Sequence, residues 1–367
     1  MLKRDWAIPF VTVLAVAGLS VNGSPARTAQ SPADWAEPGS IEWSIDRDGS
    51  DLGQNKVQFT IESRWGANSR STWSNDRSLN DFQGLSAAQV RGPSAPVRFA
   101  MTRDAGRLDC SGTAGNFTGH GACNFIVNPA FTAYLQQRGI GAPTPREAFA
   151  MTMSGVGRDL IDSMQSIGYA RPTAGQLASM AIHGVSADFV RGLARSGYRL
   201  QSADDLVSFK IHGVSLDYIT ELAAIGPKLQ HLPADDLVSM RIHGVSPDYV
   251  RQIAAIGPQF ANLTAEDLVT FSIHGARPEL VRAYAAFTRG ALNPDDVVSM
   301  AIHGVTADYL NQLAALGYRN LSADELVSLR IHGVSPEYVR RLKQNGMTQL
   351  SADQLVRLRL AGFEPRG

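Results

Sequence analysis

The feature that most constrains this chain is an internal repeat centred on Ile-His-Gly-Val. Aligning on the glycine places copies at Gly155, Gly184, Gly213, Gly244, Gly275, Gly304, Gly333 and Gly362, at intervals of 29, 29, 31, 31, 29, 29 and 29 residues. One more unit traces upstream, filling the 29 residues from Val127 to Gly155. Self-similarity at a period of roughly 20–50 residues marks stacked supersecondary units, and it outranks any local motif.

Each unit writes two short helices. In the unit that starts at Ser202, that serine is an N-cap and Ala203, Asp204 and Asp205 form the first turn. Leu206, Val207, Phe209 and Ile211 are expected to supply apolar contacts, and Gly213 closes the helix. A cap oxygen and acidic first turn satisfy the exposed N–H end, while glycine tolerates the left-handed exit. Ser215 caps the second helix, with Asp217 in its first turn and Tyr218, Ile219, Leu222 and Ala223 on one side. Pro247, Pro278, Pro294 and Pro336 fall at first helical positions, where proline loses no hydrogen bond.

Two turns of helix do not stand alone in water, so each pair must bury its apolar side on its neighbours. The expected fold class is therefore mainly α: an α-solenoid of eight two-helix repeats of about 29 residues, preceded by a small β domain. The array is expected over residues 127–362, with 363–367 as a tail. Its ends look like caps: Ala361 stands where histidine is expected, and Met153-Ser154-Gly155 lacks the full signature. The two 31-residue units, through GPKLQHLPADDL and GPQFANLTAEDL, lengthen the connection after the second helix and should alter the superhelix locally.

Ahead of the repeats, residues 40–126 alternate with period two. Ile41, Trp43 and Ile45 share one face of IEWSI, as do Val57, Phe59 and Ile61 of VQFTI and Val97, Phe99 and Met101 of VRFAM. Leu108 pairs with Cys110 in RLDC, and Cys123, Phe125 and Val127 align in CNFIV. Gly, Asn, Asp and Ser fill the gaps, as strand–turn segments require. Cys110 and Cys123, the only two cysteines, flank the glycine-rich SGTAGNFTGHGA. A disulfide between neighbouring strands would staple a domain too small for a large core; two buried free thiols are the other reading. His120, three residues before Cys123, invites a thiolate–base reading, which an oxidised Cys123 would remove.

The leading residues read as an export signal. Lys3 and Arg4 are basic, Trp6 to Val21 is mostly apolar, and Val21-Asn22-Gly23 suits cleavage after Gly23. The apolar run is short for a spanning helix. Residues 1–23 are read as a signal peptide, with an uncleaved anchor as the alternative, and 24–39 as a linker. A periplasmic or otherwise extracytoplasmic location follows, with membrane attachment only if the segment stays uncleaved. Lys+Arg and Asp+Glu balance at 34 each, which leaves no electrostatic footprint for nucleic acid.

The repeated histidines are His183, His212, His243, His274, His303 and His332. One reading is a metal- or pH-responsive ladder. Spacing argues against a shared metal, because equivalent residues on adjacent packed helices lie about 8–10 Å apart and zinc needs ligands at about 2.0–2.3 Å. The other reading is structural: each imidazole sits at the C-terminal end of the first helix and donates to its orphan carbonyls. No cofactor and no catalytic residue are assigned.

VRFAMTRDAGRLDCSG…GHGACNFIVNPAF, followed by copies of LSADELVSLRIHGVSPEYVRRL, resembles the extracytoplasmic region appended to some bacterial BlaR1/MecR1-type regulatory membrane proteins. The likeness covers roughly residues 55–362, and the repeat signature is its most specific part. In that family the neighbouring module is a zinc metallopeptidase and classical members sense β-lactams. Neither activity carries over. No histidine is followed by glutamate, and no serine stands three residues before a lysine. What the resemblance implies is an accessory sensing or interaction module without the protease.

The expected function is thus a non-enzymatic, exported module that binds a protein or peptide partner of the cell envelope through its repeats. The residue before Ile-His varies along the array as Ala181, Lys210, Arg241, Ser272, Ala301 and Arg330. Lys210, Arg241, Ser272 and Arg330 are the candidate partner contacts, with an ordinary solvated face as the alternative.

Overall fold

The computed structural model describes residues 38–46, 55–66, 69–289 and 292–364. The expected export signal lies outside these residues, as does most of the linker; Pro38 and Gly39 already belong to the first strand.

The expected mainly α solenoid of eight two-helix repeats is corrected by the fold. Among the described residues six strands form one antiparallel sheet, followed by most of 17 helices that account for 50% of the chain, so the architecture is α plus β. The strands are β1 (Pro38–Asp46), β2 (Lys56–Trp65), β3 (Ser69–Ser78), β4 (Ala95–Thr102), β5 (Gly106–Gly115) and β6 (Thr118–Val127), in the spatial order β3-β2-β1-β6-β5-β4. The alternating segments named from sequence fall on β1, β2, β4, β5 and β6. β3, SRSTWSNDRS, carries no such pattern because it is an edge strand with no buried residue.

Two meanders join where β1 pairs with β6, setting Trp43 opposite Gly121. The glycines there make room for tryptophan. A Cβ on Gly121 would meet the Trp43 Nε1 at 2.6 Å and the Ser111 carbonyl oxygen at 2.1 Å. The Trp43 indole therefore crosses β6 and donates to the Ser111 carbonyl of β5 at 3.1 Å. Cys110 and Cys123 sit directly opposite each other on β5 and β6 and form the disulfide. Leu79, Phe82, Leu85 and Val90, the last from α1 (Ala87–Arg91), cover the sheet's apolar face.

After α2 (Pro129–Gln137) the helices fall into two rows. The first helices are α3 (Pro145–Ser154), α5 (Ala174–Ile182), α7 (Ala203–Ile211), α9 (Ala234–Ile242), α11 (Ala265–Ile273), α13 (Pro294–Ile302), α15 (Ala323–Ile331) and α17 (Ala352–Leu360), each packed on the next of its row. The second helices are α4 (Arg158–Ile167), α6 (Ala187–Arg195), α8 (Leu216–Ala223), α10 (Pro247–Ala254), α12 (Pro278–Phe287), α14 (Ala307–Ala315) and α16 (Pro336–Gln344), likewise packed in order. Eight first helices are thus followed by seven second helices, and the last unit is a single helix. The 31-residue units insert short 3₁₀ turns at Pro227–Leu229 and Pro258–Phe260, whose Leu229 and Phe260 are buried.

Sheet and array meet at α3. Ala148, Phe149 and Met153 belong to the sheet's core, while Ala150 and Met151 of the same helix face the array's core. Asp104, between β4 and β5, supplies the cap that α4 lacks. Its Oδ2 accepts the Arg158 backbone N–H at 2.7 Å, and Oδ1 pairs with the Arg158 guanidinium at 3.1 Å. Gly157 is the residue there because a Cβ would lie 2.3 Å from the Asp104 carboxylate.

Candidate functional site

The Ile-His-Gly-Val signature resolves into two halves with different physics. In the Ser202 unit, Ser202 and Asp205 form a capping box, with the Asp205 N–H donating to Ser202 Oγ at 3.1 Å and the Ser202 N–H donating back at 2.9 Å. His212 is the C-cap, and Gly213 follows in the left-handed region at φ 70°. The Val214 N–H returns to the Phe209 carbonyl at 2.8 Å, closing a Schellman motif, and the Val214 side chain is buried. Glycine and valine are therefore dictated by the fold.

Isoleucine and histidine are not. Ile211, expected among the apolar contacts, is 54% exposed. Leu206 and Phe209 lie on the buried face three residues apart, and Ile211 falls well off that stripe. The equivalents Ile182, Ile242, Ile273, Ile302 and Ile331 are 54–58% exposed, and Leu360 of the last helix is 66% exposed. Among the described residues nine large apolar side chains are exposed; Phe117 and Ile126 are the two outside this row. Because the first helices stack in order, these seven ends form one edge of the array.

The histidines beside them are exposed or half-buried. Among the described residues, the expected bond from an imidazole to its own helix forms at His303, whose Nδ1 lies 2.8 Å from the Ser299 carbonyl. At three helix ends, that of His303 included, a side chain from the following repeat meets the C-cap carbonyl. Arg241 Nε donates to the His212 carbonyl at 3.4 Å, Ser272 Oγ to His243 at 2.5 Å and Arg330 Nε to His303 at 3.3 Å. Among the described residues no cluster of three His, Cys, Asp or Glu side chains could hold a metal ion.

The candidate contact residues are thus also staples between repeats. Lys210 Nζ lies 5.0 Å above the Phe189 ring, and the Arg241 and Arg330 guanidiniums lie 4.9 and 4.8 Å above Tyr218 and Tyr309. Arg359 repeats the arrangement over Tyr338 at 5.0 Å. Each cation comes from a first helix and each ring from the second helix of the preceding unit.

The rings carry a second link that sequence reasoning did not find. Tyr218, Tyr249, Tyr309 and Tyr338 donate from the third residue of their helices to carbonyls of the next unit, at Val245, Ala276, Val334 and Phe363, over 2.8–2.9 Å. In the unit where Leu280 takes that position, Tyr284 arrives from one helical turn later and reaches the Val305 carbonyl at 2.6 Å. The recurrence of Ser/Thr-x-x-Tyr after Gly-Val was the available signal. Burial pushes the Tyr218 and Tyr309 phenols up to about 12, against the opposing effect of Arg241 and Arg330.

His120 does not acquire a thiolate partner, because Cys123 is bonded to Cys110. No helix of the described residues is long and apolar enough to cross a membrane.

These observations define a helical-repeat array joined through its first unit to an antiparallel sheet, with an exposed aliphatic edge. Compared with family models, curated proteins and solved structures, the chain finds no match.

Proposed function

We propose that this chain is a non-enzymatic, exported interaction module whose repeats engage a protein or peptide partner in the cell envelope. The observation that carries the reading is the Ile-His pair, kept unchanged in six repeats although neither side chain is needed by the core. The position immediately before it varies among Ala, Lys, Arg and Ser. Constancy of two side chains that the core does not need is what a binding edge requires and what packing does not explain. The disulfide and the basic-then-apolar leading residues support export. A sensing role follows the resemblance to the extracytoplasmic region of BlaR1/MecR1-type proteins, without their peptidase.

The test is in-cell cross-linking of the full chain against a variant carrying Ile211→Ser, Ile242→Ser, Ile273→Ser, Ile302→Ser and Ile331→Ser. A stoichiometric partner that is lost in the variant, and that rebinds the purified wild-type chain, is the expected result. Identical cross-links in both chains would overturn the reading.

A further inference from the structure

Resting on that reading of the isoleucine row, we propose that its occupant is an extended acidic peptide of polyproline-II type, with an aliphatic side chain at every third residue. Spacing supplies the first reason. Adjacent packed helices lie about 8–10 Å apart, and the bonds from Arg241 and Ser272 to the preceding histidine carbonyls hold the helix ends at one level. A polyproline-II chain rises about 3.1 Å per residue with three residues per turn, so same-face side chains recur about every 9 Å. Same-face side chains of a β-strand recur at about 6.6 Å, and those of an α-helix at about 5–6 Å. The polyproline-II period is the one that stays in step with successive rungs.

Charge supplies the second reason. Lys210, Arg241, Arg330 and Arg359 stand between successive rungs, where Ser272 and Ala301 occupy the two central gaps. Arg241 and Arg330 spend Nε on the preceding repeat, and their Nη atoms have no hydrogen-bond partner among the described residues. Most of the nearby acids at the starts of the second helices are turned to donors on their own helices, Asp188 to Arg191, Asp248 to Gln252, Glu279 to Arg282, Asp308 to Gln312 and Glu337 to Arg340, while Asp217 is exposed. The edge therefore alternates aliphatic rungs with cations in its outer gaps, four of the six. A second copy fits it poorly, since two-fold pairing about Ile273 would set Lys210 against Arg359 and Arg241 against Arg330. Carboxylates placed between aliphatic residues fit it well, most of all toward the two ends of the row.

The experiment titrates the full chain with a fluorescent peptide of seven Leu-Glu-Pro triplets, followed by anisotropy. A control peptide holds the same residues reordered so that leucine recurs at every second position. We expect saturable binding of the triplet peptide, about tenfold weaker binding of the control, and loss of binding in the five-serine variant at an unchanged melting temperature. Replacing Lys210, Arg241, Arg330 and Arg359 by Gln should weaken binding about tenfold and flatten its salt dependence. Equal, isoleucine-dependent binding of both peptides would overturn the three-residue period while leaving the docking edge intact. If neither peptide binds but the cross-linked partner persists, the occupant is wrong and the proposed function survives. Isoleucine-dependent binding to vesicles of phosphatidylcholine and phosphatidylglycerol, without peptide binding, would overturn both in favour of a membrane edge.

Discussion

The sheet and the helical array solve the same problem, burying apolar area in short elements, by opposite means. In the sheet the stabilising devices, the disulfide and the Trp43 bond to Ser111, are each used once. Trp43 lies over the β6 glycines to reach β5, and its ring packs edge-on to Phe99 at 4.9 Å. In the array each device recurs and joins one unit to the next: a capping box, a Schellman turn, a tyrosine latch and a cation over that tyrosine. Failure in the sheet should therefore be global, whereas failure in the array should be graded and shared among neighbours.

The largest test of that contrast is Trp43→Ala. The ring is 2% exposed, so its removal should cost about 3–5 kcal/mol and leave the Ser111 carbonyl without its donor. Urea unfolding followed by near-UV dichroism should show the sheet's transition moving far more than the helical signal at 222 nm, a wavelength set by the peptide bond. If both move together, sheet and array are one cooperative unit coupled through α3, and the contrast fails. Next in size is the disulfide. It closes a hairpin with a sequence separation of 13, and Cys110→Ala with Cys123→Ala should cost about 3 kcal/mol through the unfolded state. Reduction of the wild-type chain should give the same loss, again mainly in the sheet.

The same contrast decides what could be read from the sequence. In the array, eight aligned glycines and the Ser/Thr caps located almost every helix, because helix starts and stops are local chemistry repeated many times. What that reading got wrong was direction: Ile211 is apolar and helical, but its angle from Leu206 and Phe209 sends it to solvent. In the sheet, strands with a buried face were visible from alternation. β3 was not, since an edge strand paired on one side needs no apolar stripe, and its Trp73 is only partly buried. The weight given to helix also followed from this, because the repeat is conspicuous and a polar strand is not. The tyrosine latch was missed for a further reason: a ring that packs and a phenol that donates look identical in an apolar pattern.

That latch gives the third test. Tyr218→Phe or Tyr309→Phe keeps the ring and removes a bond of 2.8 or 2.9 Å, at a cost of about 1 kcal/mol each. Its pH dependence has a definite sign. Burial raises both phenols from an unfolded value of about 10 to about 12, so the folded chain holds these protons longer. Their contribution is complete below about pH 10 and is lost as pH climbs toward 12. The urea midpoint should fall across that window in the wild-type chain and fall less in the double Phe variant. An equal fall in both chains would mean the latch is not what titrates.

The last test divides the signature itself and ends on the smallest expected effect, at Ile242. Val245 is fully buried, and Val245→Ala should cost about 2 kcal/mol. Ile242, three residues earlier in the same four-residue motif, is 57% exposed, and Ile242→Ser should change stability by no more than about 0.5 kcal/mol. Both residues recur along the array, yet they recur for different reasons, and thermal melts of the two variants separate those reasons without knowledge of any partner. A large loss for Ile242→Ser would mean that the isoleucine row supports folding after all, and its constancy would then need no ligand. A negligible loss leaves an aliphatic side chain held in solvent six times over at no benefit to the fold, which is the pattern that the proposed docking edge requires.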